Sequence, residues 1–324
     1  MSDKPATQGA TAKETTFRSF SREQGASYAQ HRLDYQPRLY QLVLDHHTST
    51  GGRLDTLLDV GCGPGTAVRT LAPHFAHAIG IDPSEGMIAT ARSLGGVSST
   101  SAPIRFEVST VEEIGTSLSI PAGSVDLLIA ATAAHWFDMS VFWPLAARLL
   151  RPGGTVALWT SGRILVDRSM PNAAAIQAAL DRFDAAIDEY FLPGNRMVQN
   201  LYADLQLPWM LERPVPDFER GSFVRKVWDN TEEGSEFIKE FCTDQRGAAV
   251  DVLVKVLATT SPYIRWREAN GDVVDTEKDP LQVMRREIEC ALEEEGGVSA
   301  DKRMVKGGVA GVLLMVKRRA DIAK

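Results

Sequence analysis

Two short stretches carry residue types and spacings with chemical potential. In Asp59-Val60-Gly61-Cys62-Gly63-Pro64-Gly65-Thr66 three glycines alternate with other residues, and an acid stands two residues before the first of them. Glycine lets a backbone turn tightly and approach a ligand where a Cβ would intrude. In Gly80-Ile81-Asp82-Pro83-Ser84 one carboxylate closes an apolar run, 21 residues after Gly61. An acid at the tip of the second strand of an α/β unit can accept hydrogen bonds from both hydroxyls of a ribose. Each such charge-assisted bond contributes roughly 1.5–3 kcal/mol. Either stretch alone has an ordinary structural reading, since many α/β proteins use a glycine-rich first turn to pack a helix on its strand. In this order and at this spacing they predict a nucleoside-binding crevice. The dinucleotide pattern G-x-G-x-x-G is not met, because Thr66 stands where its third glycine belongs.

Further candidates lie on either side. His135 directly follows the fourth apolar run, where it is placed to act as a base, to donate a hydrogen bond, or simply to cap the next helix beside Trp136. Trp136 and Trp159 are candidates for lining an acceptor pocket, with plain core packing as the alternative. Tyr28, Arg32 and Tyr35 follow at spacings of four and three, one face of a helix. Arg163, Arg168, Arg196, Arg225 and Arg267 are candidates for gripping an acidic acceptor.

The elements that would position these residues follow from the hydrophobic pattern. Apolar runs at 56–60, 78–81, 104–108, 125–131 and 155–159 have the length and β-branched content of buried strands. Helical spacing fills the gaps at 66–75, from Ser84 as N-cap, and over 141–150, which ends in the stop and turn Arg151-Pro152-Gly153-Gly154. Such alternation implies βαβ units around a parallel sheet. Beyond Trp159, helices are expected from Pro171, over 232–241 and 247–258, and from Asp279-Pro280, with strands over 220–228 and 309–316. The expected architecture is an α/β, doubly wound, Rossmann-like seven-stranded sheet with a helical lid insertion. Residues 1–16 are read as a disordered tail, 17–160 as the cofactor-binding core with a leading lid segment, and 161–324 as acceptor-side lid helices plus the last strands of the same sheet.

Composition narrows the function. With 44% hydrophobic and 24% charged residues among 324, the chain has the makeup of a soluble globular protein. Lys and Arg total 35 against 42 Asp and Glu, a formal charge of −7, the wrong sign for nucleic acid. Three widely spaced cysteines, Cys62, Cys242 and Cys290, suggest neither a disulfide framework nor a zinc site. With no secretory leader and no long apolar span, the expected location is the cytoplasm, away from membranes. Oligomeric state is not readable from sequence.

The segments 59–65, 80–87, Val125-Asp126-Leu127-Leu128 and Leu150-Arg151-Pro152-Gly153-Gly154-Thr155 resemble the successive motifs of class I S-adenosylmethionine-dependent methyltransferases. Within that superfamily, Ala134-His135-Trp136-Phe137-Asp138 and the Tyr28, Arg32, Tyr35 segment are similar to the trans-aconitate methyltransferase-like branch common in fungi. The resemblance implies that Gly61, Cys62, Gly63 and Gly65 wrap the methionine portion of the cofactor, with Asp59 orienting the loop or its amino group. It implies that Asp82 takes the ribose, Pro83 and Met87 sandwich the adenine, Thr110 or Val111 faces the adenine amino group, and Ala131 borders the cofactor. Tyr28 and Arg32 would close over the cofactor's carboxylate. The implied reaction is methyl transfer to a small molecule, with a carboxylate or a secondary metabolite as candidate acceptors and no metal required. A nicotinamide oxidoreductase on the same layers, or a cofactor-binding regulatory protein, are the competing readings.

Overall fold

The computed structural model describes residues 15–32, 34–114, 120–229, 247–293 and 304–320. Its centre is a seven-stranded sheet in the order β3-β2-β1-β4-β5-β9-β6. The strands are β1 (Thr56–Val60), β2 (His77–Asp82), β3 (Arg105–Val108), β4 (Val125–Ala131), β5 (Leu150–Val166), β6 (Val224–Trp228) and β9 (Gly307–Lys317). Strands β1 to β5 pair in parallel, and β9 runs antiparallel to both β5 and β6. The expected α/β, Rossmann-like architecture is therefore found. Strand order reverses between β1 and β4, which opens a crevice at their carboxyl ends.

Burial explains the central strands. Leu57 and Leu58 are both fully buried but point into different core clusters, one on each face of the sheet. Burying such a side chain contributes roughly 1.5–3 kcal/mol. Helices α1 (Arg22–His31), α2 (Pro37–Ser49), α3 (Thr66–Leu71), α4 (Glu85–Leu94) and α5 (Met139–Leu149) cover the faces and edges. Ser84 caps α4 by accepting from the Met87 amide, and Asp138 caps α5 by accepting from the Ser140 amide.

Several boundaries differ from the sequence reading. The helix expected over 66–75 ends at Leu71 and continues as a single 3₁₀ turn, Ala72–His74, which contains Pro73. Strand β5 starts at Leu150, opposite Val125, and next pairs Thr155 with Leu127, so residues 151–154 form a bulge inside the strand instead of a turn before it. The helix expected from Pro171 begins at Ala173, after a left-handed Asn172. The helix expected over 232–241 lies outside the described residues, as do 1–14 of the expected tail. Thr16, assigned to that tail, is buried, and its hydroxyl accepts a hydrogen bond from Arg265.

A third core cluster joins α6 (Ala173–Ala186) with α8 (Val250–Ala258), α9 (Ser261–Ala269) and α10 (Pro280–Glu293) around Ile176, Phe183, Tyr263 and Ile288. Helix α7 (Pro193–Gln199) and the short pair β7 (Ala248–Ala249) and β8 (Met304–Val305) complete this region. No helix among the described residues is long and apolar enough to cross a membrane.

Candidate active site

A cavity of about 1130 Å³ opens at the carboxyl ends of β1, β2 and β4 and extends to α6, α7 and α8. Its floor is the glycine loop. The amides of Gly61 and Cys62 both donate to the Ile81 carbonyl, at 2.8 and 2.9 Å, which ties the loop to the end of β2. The next amide, that of Gly63, donates to Asp82 Oδ2 at 2.9 Å, and the Ser84 amide donates to Oδ1 at the same distance. The two sequence motifs are thus joined through one carboxylate. Burial pushes Asp82 up to about 6, although both amides and Arg18 pull the other way.

The three glycines have different reasons. A Cβ on Gly63 would have nothing within 4 Å, so the left-handed turn there (φ +54°) leaves room toward the cavity. On Gly61 a Cβ would meet that of Ala133 at 2.6 Å. Gly65 is the N-cap of α3, packs on Phe106 and does not line the cavity. Asp59 is also behind the surface. It is fully buried, neither oxygen has a hydrogen-bond partner among the described residues, and burial with the nearby Asp82 raises it to about 8, a nearby Val68 amide offsetting only part. An orphaned acid below the loop fits a cationic group arriving above it. Cys62 does line the cavity, and burial pushes its thiol up.

Pro83, Met87, Thr110, Val111 and Ala131 border the same end. On the opposite wall stand His135 and Trp136. The His135 Nδ1 lies 2.9 Å from the Tyr202 hydroxyl, and Nε2 has no partner among the described residues. Burial, with the charge of Arg32 adding to it, lowers His135 to about 3, so the ring is neutral at physiological pH. Tyr202 sits in a left-handed turn (φ +56°) whose carbonyls, with that of Leu201, accept from Arg225. Trp136 packs against Gly194 of α7, where a Cβ would come within 2.5 Å of its ring.

The leading segment lines the same cavity. Arg32 Nε donates to the Tyr28 hydroxyl at 3.0 Å, and its guanidinium lies 5.3 Å from that ring. No carboxylate pairs with Arg32 among the described residues. Tyr35 shares a hydrogen bond of 2.8 Å with Thr132 Oγ1, at the tip of β4. Thr132 has φ +54°, a rare conformation for a β-branched residue and of a kind that clusters at functional sites.

Comparison with known proteins gives the following likenesses. Residues 58–158 match the methyltransferase domain family. A proposed methyltransferase of Dictyostelium discoideum is 31% identical over 180 residues, 56% of this chain and 62% of that relative. The proposed S-adenosylmethionine-dependent methyltransferase CRG1 of Saccharomyces cerevisiae is 32% identical over 136 residues, 42% of this chain and 45% of the relative. The chain thus spans about half the length of the curated relatives it matches. Among solved structures, a proposed type II methyltransferase from Anaeromyxobacter dehalogenans aligns with 90% of this chain and 99% of its own, at TM-score 0.55 and 22% identity. That likeness shows a shared fold.

Not every expected site residue reaches the cavity. Trp159 is fully buried in the sheet core, edge-on to Tyr35 and Tyr40, and does not face the acceptor space. Of the five arginines expected to grip an acid, only Arg163 lines the cavity, and it is paired with Asp181 at 2.8 Å. Arg196 pairs with Asp188, Arg267 with Asp275, and Arg225 serves the turn at Tyr202. Sequence reasoning missed Thr132 and Tyr202, which carry no local motif. It also missed Asp184, whose spacing from Gln177 and Asp181 on α6 was a readable signal. Burial raises Asp184 to about 6. Among the described residues, no cluster of three or more His, Cys, Asp or Glu side chains is arranged to hold a metal ion.

Proposed function

We propose that the chain is an S-adenosylmethionine-dependent methyltransferase acting on a small molecule. The observation that carries this reading is the Asp82 carboxylate, held by the amides of Gly63 and Ser84 at one end of a cavity that continues past His135. The residues present fit the cofactor: Asp82 retains oxygen lone pairs for a ribose, Gly63 leaves space above the loop, and Arg32, with no carboxylate partner among the described residues, offers a cation for a carboxylate. When bound, S-adenosylmethionine supplies a methyl group on a cationic sulfur, and the acceptor atom forms its bond to that carbon as the sulfur takes the electron pair of the breaking one.

The protein's share is alignment and exclusion of water. Pro83 and Met87 are assigned to the adenine, Thr110 and Val111 to its amino group, and Gly61, Cys62 and Ala131 to the rest of the cofactor's length. His135, with Nδ1 engaged by Tyr202, presents Nε2 to the acceptor. A ring lowered to about 3 is a weak proton acceptor, so its best-supported role is to orient the acceptor by a hydrogen bond. Residues beyond 160 would form the acceptor end.

Similarity of 134–138 and of the Tyr28, Arg32, Tyr35 segment supports the trans-aconitate methyltransferase-like branch. The acceptor end argues for a largely apolar acceptor over a polycarboxylate: Ile164, Leu180, Phe183 and Leu253 line it, and Arg163, its one arginine among the described residues, is already paired. Calorimetry with S-adenosylhomocysteine tests the cofactor, and a labelled-methyl screen over polycarboxylates and then phenolic metabolites tests the acceptor. If the protein takes up neither the cofactor nor its demethylated product at saturating excess, the reading is wrong.

A further inference from the structure

Two glycines outside the glycine loop stand within helices without a backbone reason. Gly25 is the one buried residue of α1, and Gly86 lies in the first turn of α4; neither has a positive φ. A helical glycine costs about 1 kcal/mol relative to alanine, so something else must favour it at both places. The reason is contact between the two helices. A Cβ on Gly86 would stand 2.2 Å from the Phe20 carbonyl oxygen and 2.6 Å from that of Ser21. A Cβ on Gly25 would stand 2.8 Å from the Gly86 carbonyl oxygen and 2.8 Å from Thr90 Oγ1. All but one of these neighbours are backbone atoms, which cannot step aside as a side-chain end would.

This contact has a direction. Tyr28 follows Gly25 by one turn and Arg32 by two, and both line the cavity. Phe17 and Phe20 meet the Tyr28 ring edge-on at 5.6 and 6.3 Å, and Arg32 lies over the same ring, so these side chains pack as one cluster. On the other side, Met87 of the cofactor end is the neighbour of Gly86. The segment is tied at two further points, Tyr35 to Thr132 just past β4 and Thr16 to Arg265 on α9.

We infer that Gly25 and Gly86 are positioning residues for cofactor binding: their contact seats the leading segment on the first turns of α4 and so delivers Arg32 and Tyr28 to the cofactor's carboxylate. The inference rests on the proposed cofactor reading. Each acts through Arg32 and need not touch the ligand.

The test uses the full chain, with Gly86→Ala, Gly25→Ala, Arg32→Ala and the Gly86→Ala/Arg32→Ala double variant. S-adenosylhomocysteine affinity is measured by calorimetry, and tryptic cleavage at Arg18 and Arg22 is followed with and without it. Each glycine variant is expected to bind about tenfold more weakly and to be cut faster in the apo protein. The double variant is expected to bind no more weakly than Arg32→Ala alone, because the two changes remove one interaction. Arg32→Ala should leave apo cleavage as in wild type. Wild-type affinity in both glycine variants, or fully additive losses in the double variant, would overturn the inference. If Gly86→Ala does not fold, Gly25→Ala, on the segment and away from the sheet, carries the test. Should the wild type bind no S-adenosylhomocysteine, the cofactor reading falls, while apo cleavage still reports the seat: unchanged rates in both glycine variants refute it.

Discussion

At the cofactor end Asp82 takes hydrogen bonds from two backbone amides, whereas at the acceptor end Asp181 is held by the Arg163 guanidinium, side chain to side chain. The first arrangement is set by β1, β2 and the loop between them, and its donors have no rotamers to freeze. The second joins two half-exposed flexible chains, whose partnership contributes little to stability. The cofactor end is thus pre-organised by the sheet, and the acceptor end is built from helices whose side chains can change without disturbing it. A shared donor chemistry with a variable acceptor is what this division permits.

The contrast is most severely tested at Gly63. Gly63→Val places a branched side chain in a left-handed turn and in the space above the loop. S-adenosylhomocysteine affinity should fall by at least about 100-fold, with the melting temperature of the apo protein lowered by only a few degrees. A normal ligand-induced thermal shift would show that the loop does not face the cofactor.

Asp82→Asn should weaken the same ligand about tenfold, as expected for loss of charge-assisted bonds. The pH dependence sharpens this. Asp82 titrates near 6 and accepts hydrogen bonds best when ionised, so wild-type affinity should be full above that pH and decline as pH falls through it. The asparagine variant should lack that decline, and a retained one would assign it to another group.

Tyr202→Phe removes the partner of His135 Nδ1 and should lower turnover several-fold, of the order expected for one hydrogen bond of about 1 kcal/mol. Cofactor affinity should not move, since the change lies at the acceptor wall. Equal losses in both would erase the boundary between the two ends. The smallest effect is expected from Arg163→Gln, within about 0.5 kcal/mol of wild-type stability by urea unfolding, again with unaltered S-adenosylhomocysteine binding.

The same division decides what could be read from sequence. Strands at 56–60 and 125–131 were legible to the residue, because short runs that are apolar but for Thr56, Asp59 and Asp126 end at a glycine turn or at Thr132. The Gly61 to Asp82 relation was legible because both lie at the ends of adjacent parallel strands, where sequence spacing maps directly onto space. His135 and Tyr202 are 67 residues apart and meet only through tertiary packing, so no spacing announces them. Trp159 misled because it follows the pattern of a strand tip, yet β5 runs on to Val166 and leaves it in mid-strand under Tyr35 and Tyr40. The acceptor-side arginines were unreadable for a plainer reason: a charge looks the same in sequence whether or not a nearby acid has already claimed it.

Strand β9 lies between β5 and β6 although it follows both in the chain. Among the described residues strand β6 hydrogen-bonds to the sheet through β9 alone, so its place there depends on the pairs of residues 307–317. Before those pairs form, β5 presents one side as an open edge, able to recruit a strand from another molecule. Sheet closure therefore depends on pairing of high contact order, and the edge open to mispairing before it forms lies on the β5 side of the sheet, away from the glycine loop.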